Sequence, residues 1–374
     1  LVGSLILSPA AFAQATPIEQ RVAELEQQLA VLKRQIENDK EVSVTKAKDA
    51  PIVTASAKDG FGIKSPDDSY KLKLSGYVQA DARIFSDNRK DLGTTDTFTT
   101  RTVRLVFSGT VANKFDFFIS PEFGTSTVTL PDAYIDWRLD PALKLRAGKF
   151  KAPFALERLQ STPVATFAEP SLVENLAPNR DSGVQLFGDI FHETLNYSLA
   201  FTNGVTDGGT SITDTNNDKE IGGRLWAQPF KNADNLALRG LGFGGAATYG
   251  HREDTALPSY KTAGQTTFFT LSGTTFDGPQ TRYSPQASYY YRSLGIYGEY
   301  IASEARLTKT TKRQNIKNDG WVAAGSYVLT GEDASYKGIV PLKPFDLKKG
   351  GWGAFEVTGR YSTLDIDDKI FDPA

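Results

Sequence analysis

Few side chains in this 374-residue chain could carry out covalent or acid–base catalysis. The sequence has no cysteine and only two histidines, His192 and His251. His192 falls in a predicted turn and His251 at the start of a predicted loop, and neither is paired by pattern with the serine that a hydrolase would need. The lack of cysteine also excludes thiolate metal sites and fits an oxidising envelope compartment. We therefore expect no catalytic residue, no metal and no cofactor.

Arginine and lysine offer a different chemistry, the binding of anions. Guanidinium groups donate paired hydrogen bonds to phosphate or carboxylate oxygens. The 42 Lys and Arg residues nearly balance the 44 Asp and Glu residues, so there is no overall basic field that would attract nucleic acid. Four acidic residues are available to neutralise arginines instead: Glu122, Asp132, Asp136 and Glu157. An ion-paired wall without selectivity is therefore an alternative to an anion site.

The elements that would position these side chains are β-strands with one apolar face. Between residues 70 and 84 the even positions are mostly apolar, as at Leu72, Leu74 and Val78, and the odd positions are mostly polar. A period of two places the two sets on opposite faces of a strand. Because the pattern recurs without any other signal for a core, we expect one face in lipid and the other lining a water-filled lumen.

About thirteen strands are predicted from this alternation. Beyond residues 70–84 they lie near residues 102–108, 115–123, 132–139, 143–148, 183–190, 195–202, 220–229, 238–250, 282–292, 294–307, 320–330 and 351–364. Short turns at 112–114 and 140–142 alternate with long loops near 86–97, 151–180, 203–219, 251–281 and 303–318, although 331–349 is long where a short turn is expected. Short turns on one side and long loops on the other are typical of an all-β, transmembrane antiparallel β-barrel. An odd strand number cannot close such a barrel, so residues 70–374 are expected to be a barrel truncated at the C-terminus, with about 16 strands when complete.

The N-terminal residues predict three further segments. Residues 1–13 are apolar and end in Ala11-Phe12-Ala13, as at the cleavage site of a signal peptide. Residues 14–40 carry an a/d seam that predicts a periplasmic coiled-coil helix: Ile18, Val22, Leu25, Leu29, Leu32 and Ile36. An amphipathic helix packed on its own domain is the alternative. Residues 41–69 are polar and predicted to be a linker.

Several stretches resemble the phosphate- and polyphosphate-selective porins, the porin O/P family of outer-membrane anion channels. They are Leu74–Asp81, Leu145–Phe150, Phe154–Arg158, Val328–Glu332 and Gly353–Tyr361, and the likeness covers most of residues 70–366. The resemblance implies a sixteen-stranded homotrimeric barrel in the bacterial outer membrane. It also implies that the loop after the predicted strand at 143–148 folds into the lumen as a constriction, and that anions pass along rows of arginine and lysine.

The resemblance also suggests which residues line the pore. The constriction loop would run from Lys151 to Arg180 and be stiffened by prolines, including Pro163 and Pro170. The predicted anion-binding or pore-lining residues are Arg158, Ser161, Thr162, Asp132, Arg146, Arg101, Arg104, Lys149, Lys261 and Arg282. Where the family has further arginines, this chain has Thr102, Tyr77 and Pro170.

The sequence thus predicts passive diffusion of small anions, with phosphate or polyphosphate as the first candidate. The expected partners are outer-membrane lipid, two further copies in a homotrimer and small anions, with no nucleic acid. The missing arginines favour an alternative, a general-diffusion or organic-solute porin on the same scaffold. A barrel enzyme is disfavoured by the histidine inventory.

Overall fold

The computed structural model describes residues 17–56, 60–86, 94–124, 127–210, 214, 217–309 and 312–371. The predicted signal segment, residues 1–13, lies outside the described residues. Helix α1, Pro17–Asp49, begins at the predicted coiled coil and continues nine residues past its predicted end at residue 40. The six seam side chains are 49–76% exposed. The described domain therefore does not cover this face of the helix, and the coiled coil stays a prediction.

The remaining elements are mainly strands. In order they are β1 Ile52–Ser56, β2 Gly60–Lys64, β3 Lys71–Arg83, β4 Thr97–Val111, β5 Phe115–Glu122, β6 Thr129–Asp140, β7 Leu143–Lys151, β8 Arg180–Ile190, β9 Leu195–Thr202, β10 Glu220–Ala227, β11 Leu241–Ala256, β12 Tyr260–Lys261, β13 Thr267–Phe269, β14 Thr274–Tyr291, β15 Leu294–Lys309, β16 Lys312–Val328 and β17 Glu356–Ser362. Two single-turn helices, α2 Leu156–Leu159 and α3 Leu236–Arg239, lie in connections. Three 3-10 turns cover Thr162–Val164, Leu172–Leu176 and Asp368–Ile370. No helix among the described residues combines the length and the apolar character needed to cross a membrane.

Fifteen of these strands form one antiparallel sheet in sequence order, and β12 pairs with β13 beside it. Thirteen strands from β3 onward belong to this sheet, which agrees with the predicted number. Each strand pairs with the next along the chain, which is the topology of an up-and-down barrel wall. Within the described residues β1 and β17 are its two edges.

The distribution of polar and apolar side chains on the sheet is the reverse of that in a soluble protein. On β14 the alternate residues Gln280, Arg282, Ser284, Gln286 and Ser288 are all polar and all buried. Apolar residues on the opposite faces of the strands are exposed, among them Leu199, Leu225, Phe243, Ile296 and Val357. Water around such a sheet would leave its apolar side unburied, so the outward face requires a hydrocarbon solvent. The predicted fold class is confirmed.

Three boundaries differ from the prediction. The strands β1 and β2 lie in the predicted linker, where five-residue strands are too short to show a clear period. The predicted long loop near residues 303–318 is wrong, because β15 and β16 continue to Lys309 and from Lys312. Strand β14 likewise begins at Thr274, within the predicted loop 251–281. Beyond the hydrocarbon layer both faces of a strand meet water, so the apolar alternation fades while the hydrogen-bonded ladder continues.

Candidate functional site: a cationic eyelet held by a lumen segment

The connection between β7 and β8, residues 152–179, packs against the inner side of the sheet. We call it the constriction segment. Its Phe154, Val173 and Leu176 are fully buried and contact Ile301 on β15 and Val322 on β16. The segment contains no glycine and has prolines at 153, 163, 170 and 178, which restrict its backbone. The predicted location of this loop in the lumen fits this packing.

Side chains of β14 and β15 bind the first turn of the segment. Both oxygens of Glu299 accept backbone hydrogen bonds, from Leu156 N at 2.8 Å and from Glu157 N at 2.9 Å. Gln286 Nε2 donates to the carbonyl oxygen of Phe154. These contacts satisfy backbone groups of α2 that its single turn leaves unpaired.

Arg360 on β17 connects two distant parts of the segment. Its Nη1 donates to Glu157 Oε1 at 2.6 Å and to the carbonyl oxygen of Glu169 at 2.9 Å, and its Nη2 donates to the carbonyl oxygen of Pro170 at 3.4 Å. The guanidinium also stacks on Phe167, 4.4 Å from the ring centre. A single strand side chain thereby holds together Glu157 and the Glu169–Pro170 stretch of the segment.

The opposite side of the segment reaches β4. Glu169 accepts from Arg101 Nε at 2.6 Å and from Arg101 Nη2 at 3.2 Å. Because the segment contacts both β4 and β17, the sheet must curve around it, as the wall of a barrel does.

Two cavities adjoin the segment. The eyelet cavity, of about 280 Å³, is lined by Gln79, Arg101, Thr102, Arg104, Lys151, Glu157, Arg158, Gln160, Thr162, Ala165, Phe167, Ala168, Glu169, Pro170, Asn179 and Arg180. The upper cavity, of about 350 Å³, is lined by residues that include Lys261 and shares Arg101, Arg158, Glu169, Pro170 and Asn179 with the eyelet cavity. Because they share these lining residues, the two cavities adjoin each other. The eyelet lining contains five cationic residues and two carboxylates.

Most of the eyelet arginines are oriented by an acidic partner. Arg104 Nε donates to Glu122 at 3.0 Å, Arg158 Nε donates to Glu174 at 2.7 Å, and Arg180 Nε donates to Asp132 at 2.9 Å. None of Glu122, Glu174 and Asp132 lines the eyelet cavity. These three carboxylates hold the arginines without facing the eyelet cavity.

Lys151 is held differently, by backbone oxygens. Its ammonium donates to the carbonyls of Arg158 and Gln160, each at 2.7 Å. This leaves one ammonium donor for a ligand or water.

Glu174 differs from the other acidic partners in its environment. Its side chain is buried, and no donor among the described residues meets its Oε1. Burial raises the pKa of Glu174 above its usual value, against the opposing effect of Arg158 and with a further contribution from Glu157. Protonation of Glu174 is therefore favoured relative to a solvent-exposed glutamate.

The structure brings together only part of the predicted set. Seven predicted residues line the eyelet cavity: Arg101, Arg104, Lys151, Arg158, Thr162, Pro170 and Arg180. Lys261 lines the upper cavity, whereas Ser161, Pro163 and Lys149 line neither. Asp132 lies behind Arg180 rather than at the cavity surface.

Two arginines that were predicted to line the pore form ion pairs away from the eyelet cavity instead. Arg282 is completely buried; it donates to Asp207 at 2.7 Å and to Glu220 at 2.9 Å, so it ties the 203–219 connection to the wall. Arg146 pairs with Asp136 at 2.7 Å and stacks on Tyr134, away from both cavities. Strand alternation shows that a side chain points inward, but it does not show whether another loop covers that side chain.

Sequence reasoning missed Glu169, Glu174, Glu299 and Arg360. Glu169 directly precedes Pro170, a position already marked as lacking an arginine, and Arg360 lies inside the matched stretch Gly353–Tyr361. Their roles depend on contacts between residues more than 140 positions apart for Glu299 and Arg360, which no local pattern reveals.

A sheet with an apolar exterior, a polar interior and a segment narrowing its lumen defines an outer-membrane porin. The family model for the phosphate-selective porins O and P matches residues 72–372. The chain belongs to this family, whose members are channels of the bacterial outer membrane and not enzymes.

Two individual proteins are also similar to the chain. The chain is 24% identical to porin O of Pseudomonas aeruginosa over 354 residues, which cover 86% of this chain and 78% of the relative. A solved structure, the outer membrane channel DcaP of Acinetobacter baumannii, matches 80% of this chain and 99% of its own with 12% identity and a TM-score of 0.36.

Proposed function

We propose that small anions, with phosphate as the first candidate, pass this porin through the upper cavity and the eyelet cavity. The observation that carries the proposal is the eyelet lining, where four arginines and one lysine meet two carboxylates in about 280 Å³. A porin lumen that favoured cations would be expected to show the opposite balance.

The donors at the eyelet suit transient binding. Arg104 uses Nε for Glu122, and its Nη1 and Nη2 make no hydrogen bond to the described residues. Arg180 similarly uses Nε for Asp132 and Nη1 for Asn179. At each of these arginines, one or two guanidinium nitrogens thus remain available to donate to a passing anion. Conduction requires such shallow sites, because a single deep site would hold the ion.

The alternative is a general-diffusion porin, and the ion pairs favour it. Each of the four eyelet arginines already has a carboxylate partner within 3.0 Å. Partnered arginines attract a further anion less strongly than unpaired ones. The two functions therefore differ in the strength of anion selectivity, which conductance measurements must decide.

The assembly and the lipid contact are part of the same proposal. The outward apolar residues, such as Leu225 and Val357, would face lipid acyl chains, and a homotrimer would bring three copies of α1 together. Tethering three copies to one barrel assembly raises their effective concentration, which supports a short coiled coil.

Single-channel recording in planar bilayers under a potassium chloride gradient tests the function. We expect a reversal potential that indicates anion preference and a conductance that falls when phosphate is added. Arg104→Gln should weaken the anion preference, while Arg138→Gln should not, since Arg138 is 40% exposed, pairs with Asp116 and lines neither cavity. Cation preference of the unaltered protein would refute the proposal. Unselective passage of neutral sugars in liposome swelling, with no block by phosphate, would support the general-diffusion alternative.

A further inference from the structure

Glu169 is the carboxylate that stands between the two cavities. It lines both of them, together with Arg101. Its side chain is 12% exposed and accepts from Arg101 Nε and Nη2, and Oε2 also accepts from Gln265 at 2.9 Å. An anion that moves from the upper cavity to the eyelet cavity must therefore pass this pair.

The backbone holds Glu169 in that position. Its carbonyl oxygen accepts from Arg360, and the next residue is Pro170, whose ring restricts the chain. Arg83 Nη2 also approaches Oε1 at 3.9 Å. The carboxylate is thus presented to the path by a fixed stretch of chain.

The Glu169 carboxylate occupies the face of Arg101 that a phosphate would use. The Nε–Nη2 edge of a guanidinium forms two parallel hydrogen bonds with either a carboxylate or a phosphate. Here Glu169 takes that edge, and Arg101 Nη1 makes no hydrogen bond to the described residues. A mobile anion must either displace Glu169 or bind the remaining nitrogen beside a like charge.

We propose that Glu169 is a specificity-determining residue, a built-in competitor that lowers the affinity of the pore for phosphate-like anions and so speeds their release. This inference rests on the proposed anion conduction. Glu122 and Asp132 line neither cavity, so they orient arginines without competing on the path. Glu174 lines the upper cavity but not the eyelet cavity, and its Oε2 is bound by Arg158 Nε. Glu157 does line it, but its Oε1 is bound by Arg360 and its Oε2 by Ser171.

The test compares phosphate block in Glu169→Gln with the unaltered protein. Glutamine keeps an acceptor for Arg101 and removes the charge. Removing a like charge roughly 5 Å from a bound anion in a water-filled lumen should lower the half-blocking phosphate concentration on the order of tenfold. Glu169→Asp, which keeps the charge, should stay close to the unaltered protein. Glu253→Gln is the matched neutralisation, because Glu253 is exposed and lines neither cavity.

The readouts separate this inference from the proposed function. Reversal potentials in chloride alone test anion selectivity, and their failure would refute the proposed function. If the unaltered channel is anion-selective, an unchanged or weaker phosphate block in Glu169→Gln would overturn the competitor role by itself.

A second variant protects the test against misfolding. Glu169→Ala removes the charge and the acceptor, and it should also block at lower phosphate concentration. Adding Arg101→Gln to Glu169→Gln should abolish the gain, since the competition is for Arg101. If neither neutral variant formed channels, the pair would be purely structural and the inference would also be overturned.

Discussion

Replacing Arg360 with methionine should loosen the constriction segment without unfolding the barrel. The substitution removes the charge-assisted hydrogen bond to Glu157 and the two hydrogen bonds to the carbonyls of Glu169 and Pro170. Methionine keeps an apolar contact with Phe167. Arg360 lies on β17 and its partners lie in the segment, so the loss falls on the attachment of the segment and not on the strand ladder.

The expected magnitude follows from these contacts. The side chains of Arg360 and Glu157 are only 12% and 7% exposed, so solvent screens their pair weakly. A hydrogen bond to a charged group such as this guanidinium contributes about 1.5–3 kcal/mol net. Glu157 keeps hydrogen bonds from Ser171, which offsets part of the loss. A net change of about 3 kcal/mol corresponds to a roughly 100-fold rise in the open fraction of the segment.

Hydrogen exchange of individual backbone amides measures this opening. The amides of Leu156, Glu157 and Ser171 are hydrogen-bonded to carboxylates inside the lumen, so they report on the segment. Their protection should fall by about 100-fold in Arg360→Met, while amides in the middle of β14 and β15 keep theirs. Single-channel records should show more frequent fluctuations in conductance.

A matched control removes an arginine from a wall position. Arg138→Met breaks a pair with Asp116 in which both side chains are more than a third exposed, which contributes about 0–1 kcal/mol. It should leave the three lumen amides unchanged. Wild-type exchange of those amides in Arg360→Met would show that Arg360 does not hold the segment.

Three further outcomes are expected. Leu225→Lys places a charge on the lipid-facing side of β10, and urea titrations in vesicles should show a loss of about 2–4 kcal/mol in folding stability. Leu236→Lys, in an exposed connection, should have little effect. Raising the pH from about 4.5 should weaken attachment of the segment, because the raised pKa of Glu174 makes the folded state bind a proton more tightly than the unfolded state. Glu174→Gln should reduce this pH dependence of the segment's attachment. Replacing Leu25 and Leu29 with aspartate should lower the temperature at which a trimer dissociates in native gels while chloride conductance is kept, and an unchanged temperature would argue against the coiled coil.

The wall was predictable because its signal is local. On β3 the alternation of Leu72, Leu74 and Val78 with polar residues gives both the strand and its outward face, and the structure exposes all three. The strands were missed or shortened where that signal is weak: β1 has only five residues, and polar residues occupy both faces at the start of β16.

The eyelet was only partly predictable because its geometry depends on distant residues. Arg101 and Arg158 were identified from residue type and family resemblance, and they do meet at one cavity. Arg282 was identified by the same reasoning, yet it is covered by the 203–219 connection through Asp207. When a loop covers an inward-facing residue, the alternation of polar and apolar residues in its own strand does not change. Residue type and facing direction therefore cannot show that Arg282 is covered and that Arg101 lines a cavity.

The eyelet lining is positively charged because most of the acidic side chains lie behind the arginines, and not because basic residues outnumber acidic ones around the segment. Around the constriction segment five arginines pair with five carboxylates: Arg101, Arg104, Arg158, Arg180 and Arg360 with Glu169, Glu122, Glu174, Asp132 and Glu157. One further base, Lys151, and one further acid, Glu299, bind backbone groups of the segment. Only two of the acids line the eyelet cavity, and five of the bases do. Acids set behind arginines reduce the cost of holding several cations together in a narrow space, while the outer donors still face the solute. Neutralising a rear acid such as Glu122 should therefore disturb the eyelet through its arginine's position, whereas neutralising Glu169 should change anion affinity directly.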